Sequence, residues 1–405
     1  MRRSTAPLRV GLLAGALTLS ATVASAGPAG AAAERRAGGW DVPAAARITI
    51  SGHGYGHGHG MSQYGAEGAA RQGLTYQQIT EFYYPGTQWG TAAGRVSVQL
   101  TADTTPRDLV VRARAGLTIK DTQVRGRTLL PENGATAWRV VTGRAGVGRV
   151  SYRTDRWYPY TTLRGTGEFF AGGRPITLVT PSGERAYRGR LRTGITSTGT
   201  RATVNELRLE KYLRGVVPLE LPATWSTEAV RAQAVAARTY AAYERAHPRS
   251  SAYQICDTTS CQVYGGVAAE HPSANRAIRD TRTQILTSSG EPAFTQFGSS
   301  SGGWTAAGSM PYLPAREDPY DGWAGNPVHA WKIVLADTRL EQAWPAVGDL
   351  RRIEITSRDG NGAWGGRVGS ITLTGSAGQV TVSGDSFRSA LGLRSTWLTL
   401  TIAPG

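Results

Sequence analysis

Gly215-Val216-Val217-Pro218-Leu219-Glu220-Leu221-Pro222, followed after three residues by Ser226-Thr227-Glu228-Ala229-Val230-Arg231-Ala232-Gln233-Ala234-Val235-Ala236-Ala237-Arg238-Thr239-Tyr240, is the passage around which the chain organises. Its first half places one carboxylate in an apolar run stiffened by two prolines. Its second half predicts a helix. Ser226 reads as an N-cap with Glu228 in the first turn, and Ala229 through Ala246 is rich in strong helix formers with no Gly or Pro. The many alanines let a neighbouring backbone approach closely. Outward from this passage the pattern changes to strands. Residues 96–208 alternate, as in Val96-Ser97-Val98-Gln99-Leu100 and Leu109-Val110-Val111-Arg112-Ala113, with Gly, Asn and Pro between the runs. Ala46-Arg47-Ile48-Thr49-Ile50, Gly369-Ser370-Ile371-Thr372-Leu373-Thr374 and Ser395 through Ile402 read as strands near the two ends. The class expected is α+β with strands dominant.

The first residues carry a different message. Met1-Arg2-Arg3 is followed by an apolar stretch through Val10–Leu17 and by small residues at Ala24-Ser25-Ala26, in the order of a secretory signal peptide over 1–26. The apolar run falls short of the roughly 20 residues that span a bilayer. No later segment is apolar enough to span, so no transmembrane anchor is expected after cleavage. An Ala/Gly-rich linker covers 27–45, and the destination read from this leader is extracellular or the cell wall. The formal net charge is +16. Outside the cell that balance suits a polyanionic wall polymer better than nucleic acid, and a merely solvated arginine surface is the other reading.

Three groups of residues could carry chemistry. A carboxyl held as Glu220 is, among apolar neighbours, should titrate above the ordinary range, as a general acid requires near neutral pH. The alternative is a surface glutamate closing a loop. Gly52-His53-Gly54-Tyr55-Gly56-His57-Gly58-His59-Gly60-Met61-Ser62-Gln63-Tyr64-Gly65-Ala66 holds three of the six histidines. Alternating glycine allows tight turns and close approach to a ligand, so the loop suits sugar contact, a structural role or a metal; no metal is assigned. Gly298-Ser299-Ser300-Ser301-Gly302-Gly303-Trp304-Thr305 offers hydroxyls, backbone donors and an aromatic face. The two cysteines, Cys256 and Cys261, are read first as a disulfide in an exported protein, ahead of zinc or free thiols.

Taken together, these motifs resemble the SpoIID/LytB family of peptidoglycan-acting proteins. The resemblance runs through 209–222, 228–240, Cys256 to Gly266, the Ser/Gly loop at 299–305 and Leu391-Gly392-Leu393-Arg394-Ser395-Thr396. It includes the Gly54–Ala66 signature and Phe82-Tyr83-Tyr84-Pro85-Gly86-Thr87. It implies a lytic transglycosylase that cleaves between MurNAc and GlcNAc, with Glu220 as the catalytic acid and base and without a cofactor. His57, Gln63, Arg238, Tyr240 and Ser301 are then expected to position the glycan. The implied architecture is a strand-rich catalytic domain with a helical segment at its active site, split into 46–95 and 191–405 by an inserted antiparallel β domain over 96–190. The LytB half of the name implies a different activity, a wall-binding enhancer of an amidase. Three departures stand out. Glu220-Leu221-Pro222 replaces the family's Glu-Met-Pro, and Ser260 stands where a histidine often precedes the second cysteine. The glycine-histidine signature, which usually closes the domain, opens it here. That order predicts that the strand around Trp397 to Ile402 lies beside Ile48 to Ser51, bringing His57 toward Glu220.

Overall fold

The strand Ala46–His53 shows how the alternation is used: Ile48 and Ile50 are wholly buried while their neighbours face outward. In this computed structural model, which describes residues 38–143 and 146–405, the strand is the centre of a three-stranded antiparallel sheet. One neighbour is Ala330–Ala336. The other is Leu398–Pro404, with Ile48 opposite Ile402 and Ser51 opposite Thr399. The expected meeting of the first and last strands is therefore found. The signal peptide at 1–26 and the linker as far as residue 37 lie outside the described residues.

The terminal strand is shorter than the sequence suggested. Leu391-Gly392-Leu393-Arg394-Ser395-Thr396 is not extended, because the helix Gly384–Leu391 ends on Gly392, whose φ of 66° is the left-handed cap that glycine adopts without strain. The strand begins only at Leu398.

Two antiparallel layers are built from the alternating region. One has six strands, with Ala137–Thr142 and Asp108–Arg112 at its centre. The other has seven, and it reaches past residue 190 to take in Arg190–Ile195 and Arg201–Arg208. Its edge strand, Ile255–Cys256, comes from beyond the long helix and pairs in parallel with Arg95–Gln99. Val111, Val140 and Leu178 from one layer and Val98, Phe169 and Leu191 from the other share one apolar core.

The helix Thr227–Ala246 divides this core from a second. Val230, Ala234, Ala237 and Ala241 face the first; Ala229, Ala232, Val235 and Ala236 face a cluster with Met61, Ile79 and Tyr84. A helix buried on nearly every side must be short-chained to fit, which explains the alanines. Ser226 occupies the N-cap position, but its side chain does not accept from the helix. It donates to Glu67 Oε1 (3.1 Å), while its own N–H donates to Oε2 (2.8 Å). Glu67 thereby ties the helix Gln63–Arg71 to the start of the long helix. A third core lies under the four-stranded sheet of Gly39–Asp41, Leu350–Arg358, Val368–Gly375 and Gln379–Ser383. The described residues form one compact α+β unit in which strands predominate, and none of their helices is long and apolar enough to cross a membrane.

Candidate active site

Glu220 is the last residue of the short helix Val217–Glu220, which Pro218 starts and the extended Leu221 stops. Its position is set from across the fold. Gly215 packs where a Cβ would lie 2.6 Å from the Tyr264 ring, and its carbonyl accepts from the Gly265 N–H (3.0 Å). That contact draws residues 263–265 alongside, and the Val263 N–H donates to Glu220 Oε1 at 2.8 Å. Just before Val263 stand the disulfide Cys256–Cys261, with Cα atoms 5.5 Å apart, and Gln262, wholly buried, whose Nε2 donates to the Ala237 carbonyl and whose Oε1 accepts from Tyr212. The loop is pinned on both sides of the amide that meets the carboxylate.

Burial is the largest influence on Glu220 and pushes its pKa up from 4.5 to about 7, although the Val263 amide and the Gln63 side chain both favour the charged form. Gln63 arrives from the glycine-histidine signature and is itself buried. Tyr64, next in the chain, packs against Trp225 with ring centroids 4.9 Å apart, and Trp323 completes an aromatic wall at 6.2 Å from Tyr64. Trp323 Nε1 donates to the Tyr64 carbonyl (2.9 Å), which fixes the wall to the signature.

The signature is held by a polar network that sequence reading missed. Gly54, at φ 73°, lies where a Cβ would come within 2.7 Å of the Ser300 carbonyl, so the two glycine loops can run side by side. Tyr55 and Ser300 exchange backbone hydrogen bonds across them. Beneath sits Asp321, fully buried, whose carboxylate accepts from Ser62 Oγ (2.6 Å), Ser300 Oγ (2.8 Å), the Ser301 and Gly302 amides, Asn326 Nδ2 and His329 Nδ1 (2.8 Å). Burial alone would raise its pKa, but the bonds from His329, Ser62 and Ser300 hold it below the usual value. Asp318 lies close by, accepting from Ser301 Oγ and Tyr83, and burial together with the Asp321 charge raises it to about 6.

The expected positioning residues separate into two groups. Gln63 reaches Glu220. His57 is exposed in the same signature, stacked on His59 with its Nδ1 accepting from the His59 N–H, and among the described residues no hydrogen bond joins it to Glu220. The remaining three turn inward. Arg238 has no exposure at all; its guanidinium pairs with Glu210 and donates to the Ala234, Ile278 and Gln284 carbonyls, so it braces the long helix rather than meeting a ligand. Tyr240 is buried against Phe294, and its hydroxyl accepts from Arg249. Ser301 is buried and spends its hydroxyl on Asp318. A glycan-facing role would have needed free donors, and burial has used them internally. The acids Asp318 and Asp321 left one signal in the sequence, their i, i+3 spacing before His329; Val263 acts through its backbone and left none. Among the described residues, no group of three His, Cys, Asp or Glu side chains is arranged to hold a metal.

Fold and site together define an α+β protein in which one glutamate, Glu220, has its pKa raised by burial and is held from two distant parts of the chain. Residues 197–288 match the family model for SpoIID, stage II sporulation protein. It is 36% identical over 135 residues to the amidase enhancer of Bacillus subtilis (strain 168), covering 32% of this chain and 17% of that protein. Identity to stage II sporulation protein D of the same organism is 33% over 144 residues, covering 29% of this chain and 41% of that protein. To stage II sporulation protein D of Bacillus amyloliquefaciens it is 27% over 217 residues, covering 48% and 60%. In each case the match spans less than two thirds of the relative's length.

Proposed function

We propose that this is an exported lytic transglycosylase that cleaves peptidoglycan glycan strands, with Glu220 as both acid and base. The observation that carries the reading is the Glu220 carboxyl at the end of an apolar turn, held by the Val263 amide, where burial raises its pKa to about 7. Glycosidases that use water or a covalent intermediate need two carboxylates. A single one suffices when the nucleophile is the sugar's own 6-hydroxyl. Glu220 donates its proton to the bridging oxygen as the MurNAc C1–O bond breaks. The 6-hydroxyl oxygen then bonds to C1, and its proton returns to Glu220, leaving a 1,6-anhydro end and an unchanged enzyme. The Tyr64–Trp225–Trp323 wall offers flat apolar faces for the sugar rings.

In this reading 46–95 and 191–405 form the catalytic domain and 96–190 an inserted β support, the whole delivered to the cell wall by the leader at 1–26. The name of the amidase-enhancer relative favours a second reading, a non-catalytic wall-binding partner of an amidase. Mass spectrometry of peptidoglycan digested with the purified chain separates the two. Anhydro ends that disappear with Glu220→Gln support cleavage, reducing ends indicate hydrolysis by water, and no new ends leaves the enhancer reading.

A further inference from the structure

Away from the groups that hold Glu220, four rings converge at the ends of three strands. His53 closes the strand Ala46–His53, and its ring lies 4.8 Å from that of Trp364, 4.9 Å from Trp397 and 6.0 Å from His329. Trp397 is buried and serves as the floor. Trp364 is 42% exposed, one of the most exposed large apolar side chains among the described residues. It stands in the loop joining Leu350–Arg358 to Val368–Gly375.

That loop is built to present it. Trp397 Nε1 donates to the Ala363 carbonyl (2.9 Å), and a Cβ on Gly362 would fall 2.5 Å from the Trp397 ring, so the backbone lies directly on the floor. Asp359 Oδ1 accepts from the Asn361 and Arg367 amides. Between these ties Trp364 has φ 58°, the left-handed region that a bulky residue seldom adopts. Strain of this kind persists where the surroundings enforce it, and here they hold an indole at the surface.

His329 supplies the polar edge. Asp321 accepts from His329 Nδ1, leaving Nε2 as the free nitrogen of a side chain that is 34% exposed. Gly303 and Gly322 flank this ring so closely that a Cβ on either would lie 3.3 Å from its Cε1. His53 packs its ring against Trp364 and Trp397, and its Nδ1 is enclosed without a hydrogen-bond partner; burial lowers its pKa. An exposed indole face beside the free imidazole nitrogen of His329 matches a pyranose, which is apolar on its ring face and polar round its rim.

We infer that Trp364, with His53 and His329, forms a sugar-binding platform that holds a further residue of the glycan strand. The inference rests on the glycan reading for its ligand but not on the chemistry of Glu220. It is tested in the Glu220→Gln chain, titrated with chitohexaose by calorimetry and with purified sacculi by sedimentation. Trp364→Gly is the informative variant, because glycine accepts φ 58° and the exposed ring is not part of a core, so the thermal melt should be retained. Affinity for both probes should fall about tenfold, as for loss of an anchoring aromatic, and Trp364→Phe should restore part of it. Unchanged affinity in Trp364→Gly, or no binding by the Glu220→Gln parent to either probe, overturns the inference. Product ends formed by the wild-type chain judge Glu220 independently of that result.

Discussion

Glu220 and Asp321 are both carboxyls withdrawn from water, yet their proton affinities move in opposite directions. Glu220 keeps a single hydrogen bond to a backbone amide with some help from Gln63, and burial wins. Asp321 is buried more completely but gathers donors from two serine hydroxyls, two amides, an asparagine and a histidine, and the donors win. The number of donors aimed at a buried carboxylate, more than burial itself, separates a proton carrier from an anchor. Ser62, which bonds Asp321, is followed by Gln63, which serves Glu220. The anchor thus holds one wall of the site where the carrier acts.

The largest expected effect tests the carrier. Glu220→Gln keeps the shape and the Val263 contact but has no proton to give. Glycan cleavage should drop by about 10²–10⁴-fold or more, with the melting temperature preserved. Substantial residual activity would remove Glu220 from the chemistry and end the contrast between the two carboxyls.

Asp321→Ala tests the anchor. Several buried donors lose their acceptor at once, and a loss of about 3 kcal/mol in urea unfolding is expected. A loss below about 1 kcal/mol would mean that the network tolerates its removal and that burial alone distinguishes the pair.

The disulfide should give an intermediate effect. Replacing Cys256 and Cys261 by serine opens a short loop, expected to cost about 2 kcal/mol, and loosens the segment that carries the Val263 amide. Alkylation without reductant should find no free thiol in the wild-type chain.

pH gives the finest comparison. The pKa of Glu220 is higher in the folded chain than in the unfolded one, so stability is lost as pH rises from about 4.5 to about 7. Glu220→Gln should gain on the wild type through that window. Asp321 behaves inversely: its folded pKa is depressed, and its contribution is present above 3.8 and lost as pH falls. Urea midpoints across this range for both variants would show the two slopes. In activity, kcat/KM should fall about tenfold per pH unit above about 7 as the acid form disappears. Gln63→Ala should move that limb upward, since Gln63 favours the charged form. A limb unmoved by Gln63→Ala would exclude the side chain from the site.

Much of this was readable from residue order. Alternation gave Ala46–His53 and the strands of the β layers, the alanine run gave the long helix, and the inverted order of motifs foretold the pairing of Ile48 with Ile402. Those features follow from local periodicity or from continuity between known pieces, and both are written along the chain. Glu220 stood out because its apolar neighbours are adjacent in sequence. What the tertiary structure alone decided is which polar side chains remain free. Arg238 and Tyr240 look like ligand-binding residues in a motif, but the fold surrounds them with Glu210, Arg249 and backbone carbonyls from elsewhere in the chain. Asp321 looks like a loop acid until donors from 62, 300, 326 and 329 converge on it. A hydrogen bond is satisfied in three dimensions by groups far apart in sequence, so no local pattern can say whether a donor has already been used.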